Sequence, residues 1–150
     1  MERIKAKEEL IKLLNQALQL EHAARIQYLA HAELVDGLNA EPIIERLKEI
    51  AGDEKKHEDI FRKLIGMLGG EPTMGMAETH RAKTIQEILE VNLKDEKHAV
   101  DVYTGILKRI NELKDSLPYE HLTLEHDVRH VIMDEQEHIS ELKILLARTD

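Results

Sequence analysis

Two segments of the chain carry a carboxylate and an imidazole one helical turn apart: Glu54-x-x-His57, within DEKKHEDIF, and Glu135-x-x-His138, within DEQEHISEL. On a helix this spacing places both side chains on one face, where they can share a metal ion. Count alone is a weak argument, because nine histidines in so acidic a chain give roughly one Glu-x-x-His by chance. Position is stronger. Each pair falls inside an apolar stripe, Leu47, Ile50, Glu54, His57, Phe61, Leu64, Leu68 in one segment and Leu124, Val128, Val131, Glu135, His138, Leu142, Leu145 in the other. Two further stripes are each broken by a single glutamate, Glu21 between Ala17 and Ala24, and Glu96 between Leu93 and Val100. Four carboxylates and two imidazoles therefore point toward one interior. Buried like charges repel and must protonate or bind cations, and two divalent cations would neutralise the four carboxylates.

The comparison cases lie in the same chain. Asp95-x-x-His98 and Asp127-x-x-His130 have the same spacing but sit beside the stripes, and they are expected on the solvated face. A lone Glu on a stripe is often a rim residue or half of an ion pair within its helix, and Glu21 with Arg25 fits that description. Six such coincidences at one level of a bundle do not.

The elements that must position these residues are helices. Apolar residues recur at steps of three and four through four segments, and the chain is rich in Ala, Leu, Ile, Glu and Lys, with 34% charged and only 3% aromatic residues. The pattern predicts helices over about 3–36, from Glu41-Pro42 to Gly69-Gly70, from the Thr84/Glu87 capping box to about Lys114, and from beyond Ser116-Leu117-Pro118 to about Ala147. Residues 69–82, GGEPTMGMAETHRA, lack helical periodicity and read as a loop long enough to run the length of the bundle. The expected fold is all-α, a four-helix bundle with one long crossover between helices 2 and 3, in a single domain over residues 1–150.

Several function classes are excluded or disfavoured. Without cysteine there are no disulfides, thiolate zinc sites or iron–sulfur clusters, so any metal is held by oxygen and nitrogen. A net charge of -9 argues against nucleic acid as a partner. No run approaches the ~20 apolar residues of a membrane span, and a cytoplasmic protein is expected. Of the other histidines, His31 reads as a satisfied core residue and His22, His80, His98, His121, His126 and His130 as surface ones. Met74 and Met76 are expected to fill gaps.

An internal echo accompanies the ligands. Tyr28 follows Glu21 by seven residues and Tyr103 follows Glu96 by seven, so each tyrosine lies two turns along the same face. Both are candidates for hydrogen-bonding the metal shell, and a plain core role is equally open to them.

At these residues the chain resembles the ferritin-like di-iron superfamily, with spacing similar to that of bacterioferritin and rubrerythrin; IQYL around Tyr28 matches as well. The resemblance implies Glu21 and Glu96 as terminal or chelating carboxylates, Glu54 and Glu135 as bridges, and His57 and His138 as one nitrogen ligand per metal. It further implies two iron ions, with manganese possible, and oxidation of iron(II) by O2 or H2O2. Alternatives are a di-iron oxygenase or peroxidase acting on another substrate, and a non-catalytic metal-binding bundle. Three departures qualify the resemblance. Lys55 stands where bacterioferritins carry the haem-binding methionine, so no haem is expected. Twelve residues follow His138, too few for the fifth helix of the 24-subunit cage, and among homo-oligomers a dimer is favoured over that cage. Ala99 stands where rubrerythrins carry an additional glutamate.

Overall fold

The structure, a computed structural model, describes residues 2–148. It contains four long helices, α1 (Arg3–Ala32), α2 (Ala40–Met67), α3 (Ile85–Glu112) and α4 (His121–Leu145), with a short 3-10 turn at Lys114–Ser116 and no strand among the described residues. The all-α bundle expected from periodicity is the fold observed.

Cross-helix contacts fix the directions. Arg25 meets Glu58 and Glu33 meets Lys48, so α1 and α2 are antiparallel. His121 meets Asn111 and Arg148 meets Glu90, so α3 and α4 are antiparallel. Tyr28 meets Glu96 while Tyr103 meets Glu21, which makes α1 and α3 antiparallel in turn. It follows that α2 and α3 run parallel, and the chain between them must climb the whole bundle. It does so along α1. Asn15 bonds Glu71 O (3.1 Å) and Thr73 N (2.9 Å), Gln19 O accepts from Ala77 N (3.0 Å), and Gln27 Oε1 accepts from His80 N (2.6 Å). These polar groups on α1 supply partners that a segment without secondary structure otherwise lacks.

Helix ends follow local chemistry, with one correction. The Thr84 capping box forms as expected, with Glu87 N donating to Thr84 Oγ1 (3.1 Å) and Thr84 N to Glu87 Oε1 (3.3 Å). α1, expected to continue to about residue 36, ends at Ala32. There Glu33 N and Leu34 N bond carbonyls three residues back, tightening the last turn, and Val35 tucks into the core. Gly37, at φ +88°, then makes the turn that a β-carbon would strain. Met74 is 96% exposed, so the gap-filling role expected of it is not observed: the crossover passes over α1 on its backbone, leaving this side chain in solvent.

The core is split in two. One apolar cluster includes Leu14, Ala17, Phe61, Leu64, Tyr103, Ile110 and Val131. The other includes Tyr28, Leu47, Ile50, Leu89, Leu93 and Leu142. Between them lies a polar layer of Glu21, Glu54, His57, Glu96, Glu135 and His138, every one at most 3% exposed. Among the described residues no helix is long and apolar enough to cross a membrane.

Candidate metal centre

Mid-helix placement in four facing stripes brings all six residues together. Their side-chain atoms form two overlapping groups, Glu21, Glu54, His57 and Glu135 in one and Glu54, Glu96, Glu135 and His138 in the other, with ligand atoms in each group within 4.8 Å of one another. Glu54 and Glu135 belong to both. His57 Nδ1 lies 3.0 Å from Glu135 Oε1 and 3.5 Å from both Glu21 Oε1 and Glu54 Oε1. His138 Nδ1 lies 3.4 Å from Glu54 Oε1 and 3.6 Å from both Glu96 Oε1 and Glu135 Oε1.

Hydrogen-bond accounting identifies what the pocket is built for. Glu21 Oε2, Glu54 Oε1, His57 Nδ1, Glu96 Oε2, Glu135 Oε1 and His138 Nδ1 are buried without a hydrogen-bond partner among the described residues. Buried polar atoms are seldom left unpaired, and here one atom of each of the six residues is. The remaining atoms are held from outside. His57 Nε2 is 2.9 Å from Asp134 Oδ2 and His138 Nε2 is 2.9 Å from Asp53 Oδ2, so each imidazole donates Nε2–H outward and keeps Nδ1 facing the pocket, where a cation can replace its proton. Tyr28 donates to Glu96 Oε1 (2.7 Å) and Tyr103 to Glu21 Oε1 (2.8 Å), leaving each Oε2 free. The donor set, three carboxylates and one imidazole per group, fits a divalent cation in each.

The electrostatics favour positive charge throughout the pocket. Burial, reinforced by the neighbouring carboxylates, pushes Glu54 and Glu135 well above the usual carboxylate range. Burial opposes protonation of His57 and His138, but the facing carboxylates outweigh it, raising both imidazoles, His138 to about 10. Glu96 is held low: burial pushes it up, and its bonds to Glu135, His138 and Tyr28 outweigh that push. Protons or metal ions must compensate this layer.

Several residues around the pocket are not anticipated by the stripe pattern. Asp53 and Asp134 lie off the stripes, but their signal is in the sequence: each immediately precedes the Glu of a Glu-x-x-His, making Asp-Glu-x-x-His twice. The tyrosines bond the glutamate of the opposite helix rather than their own, because antiparallel α1 and α3 set position 28 against 96 and position 21 against 103. Arg25 pairs with buried Glu58 instead of Glu21. His22, expected on the surface, is buried: its Nδ1 lies 2.7 Å from Gly75 O and its Nε2 2.9 Å from Arg62, which ties the crossover to α1 and α2. His31 is the satisfied core histidine expected, between His80 O (3.0 Å) and Asn92 (3.0 Å). Asp95 and Asp127 are only partly exposed, bonded to His80 and Lys63 respectively, while His98 and His130 are exposed.

A cavity of about 240 Å³ opens beside the pocket. Leu20, Ala23, Ala24, Ala77 and Ala99 line one part of its wall and Gln27, Glu78, His80, Asn92, Asp95 and His98 the rest, Tyr28 and Tyr103 flank it, and Glu54, Glu96 and Glu135 reach it from the pocket.

Four helices in two antiparallel pairs, joined by a crossover and enclosing two overlapping carboxylate–imidazole pockets, define the class of di-iron carboxylate bundles. The chain belongs to the ferritin-like di-iron superfamily, and the model of the ferritin-like domain matches residues 11–150. It is 36% identical to the bacterial ferritin of Pseudomonas aeruginosa over 90 residues, which cover 60% of this chain and 58% of that one. Among solved structures it is similar to a ferritin-like, di-iron-carboxylate protein of Bacillus anthracis, with a TM-score of 0.86, 27% identity, and coverage of 94% of this chain and 97% of that one. It is also similar to the bacterioferritin of Desulfovibrio desulfuricans, whose di-iron site is recorded in different catalytic states, with a TM-score of 0.85, 25% identity, and coverage of 97% and 82%.

Proposed function

We propose that Glu21, Glu54, His57, Glu96, Glu135 and His138 bind two iron ions and that the protein oxidises iron(II) with O2 or H2O2. The observation that carries this reading is the set of six orphaned inward atoms, which resolves into two groups sharing Glu54 and Glu135. Two divalent cations would balance the four carboxylates, and iron supplies the one-electron chemistry: each iron(II) gives up one electron, and O2 takes two with two protons to leave as H2O2. Glu54 and Glu135, which belong to both groups, would be shared by the two ions, Glu21 and Glu96 would each serve one, and the imidazoles would supply one nitrogen per iron. Tyr28 and Tyr103 fix the terminal carboxylates by holding one oxygen of each. Manganese would fill the same oxygen-rich set and replace ferroxidation with peroxide chemistry.

A second reading, oxygenation of an organic substrate, is favoured by the cavity. Its ~240 Å³ far exceeds the ~10–15 Å³ that one water-sized molecule occupies on the same measure. The exposed Ile26 and Leu29 of α1 offer an apolar surface for a homodimer, and the chain is taken as one domain.

The test is oxidation of iron(II) in air, followed by ferric absorbance. Wild type is expected to outpace buffer by at least tenfold and Glu54→Ala to fall to the buffer rate. Equal rates for wild type and buffer would remove the ferroxidase reading, and turnover of an added apolar substrate would install the second.

A further inference from the structure

We infer a third metal site, outside the buried pocket, on the exposed face of α4: a divalent transition-metal ion held by His126 and His130, with Asp134 one turn further on. His126 and His130 are four residues apart, and their rings already lie together, with centroids 4.2 Å apart. Two histidines at this spacing on one helix face are a chelating pair, as in helical zinc motifs. His126 Nδ1 lies 3.0 Å from Asp127 Oδ1, so Nδ1–H donates to the carboxylate and Nε2 is left as a lone-pair donor toward solvent. A carboxylate orienting a histidine through its other nitrogen is the support that metal-bound imidazoles recurrently have. Lys63 from α2 sits 2.8 Å from Asp127 Oδ2, so the local cation is engaged with the supporting carboxylate. Arg129 is likewise paired, with Glu125 (2.6 Å). The His126 side chain is 58% exposed, which leaves it open to a hydrated ion.

The stripe continues inward. Asp134 is four residues past His130 and 54% exposed, and its Oδ2 is the group that holds His57 Nε2 at 2.9 Å. His130 and Asp134 thus form a second rung, which ends on the residue that orients an imidazole of the buried pocket. The ligand class is a borderline divalent ion, Zn2+, Cu2+, Co2+ or Fe2+, matched to imidazole with one carboxylate. The site's role is to collect such ions from solution and deliver them toward His57, which rests on the dinuclear reading of the interior. A handover along α4 would make loading of the pocket depend on residues that never touch it.

Zinc counting separates the two readings. Metal-free full-length protein titrated with Zn2+ by calorimetry, with bound zinc measured after dialysis, is expected to hold three ions per chain, and two in His126→Gln or His130→Gln. Glu54→Gln is expected to keep the outer ion while losing interior binding. Equal zinc counts in wild type and His130→Gln would overturn the outer site. One ion in wild type and none in His130→Gln would keep it and discard the interior pair. Delivery is read with Co2+, whose visible bands report ligand type: at sub-stoichiometric metal, the interior spectrum should develop several-fold more slowly in His130→Gln and reach the same end point. An unchanged rate would overturn delivery.

Discussion

His57 and His138 owe their orientation to residues that never face the pocket. Asp134 and Asp53 accept from Nε2 of each ring and so fix Nδ1 as the nitrogen that faces the centre. Asp53→Asn and Asp134→Asn are each expected to weaken metal affinity about 10–100-fold while leaving the fold intact, measured by competition with a chromophoric chelator. His31 gives a pH prediction away from the six proposed ligands. Its Nδ1 accepts from Asn92 and its Nε2 donates to His80 O, so only the neutral ring fits, and burial holds its pKa below the ordinary value against the pull of His80 O and Asp95. With the folded pKa depressed, this contribution to stability is present above the unfolded pKa of about 6.5 and is lost as pH falls below it. In the metal-loaded protein, Tm should fall less steeply below that pH in His31→Gln than in wild type; parallel slopes would refute the assignment. The six inward residues are legible in sequence because each interrupts an apolar stripe. Asp53 and Asp134 are not legible by that rule, since a residue off the stripe looks solvated until the facing helix is known.

At the scale of the element, α1 does more than its stripe announces. It lines the polar layer with Glu21 and Tyr28, and with Asn15, Gln19, His22, Gln27 and His31 it also carries the crossover. The helices themselves are readable from period and caps. The seat of the crossover is not, because Asn15 and Gln27 are ordinary polar residues on a helix surface until a loop lies over them, and Gln19 contributes only its backbone carbonyl. Helix α3 begins at a complete capping box, and Thr84→Ala should cost about 0.5–2 kcal/mol in unfolding free energy, measured by urea denaturation. Ala99, on the same helix, keeps the cavity beside the pocket open. Ala99→Leu should leave the number of bound metals unchanged while slowing turnover of any substrate larger than peroxide; faster turnover would show that the cavity is not on the path.

For the whole molecule, the polar layer between two apolar clusters sets function against stability. Four buried carboxylates at one level are costly to the metal-free fold, because burial and mutual repulsion oppose their charged forms. Glu54→Leu should therefore leave the metal-free protein as stable as wild type or up to a few kcal/mol more so, and remove most of the stabilisation wild type gains from metal. A large loss of metal-free stability in that variant would mean that the layer is structural. The bundle and its crossover follow from sequence pattern, whereas the cross-pairing of the tyrosines and aspartates emerges only when the helices are set antiparallel. The most direct test is an anaerobic titration of the metal-free chain with iron(II). The predicted result is a break at two irons per chain in wild type and none in a Glu54→Ala, Glu135→Ala double variant. A wild type that binds no iron, or a double variant that still binds two, would contradict the assignment of these six residues.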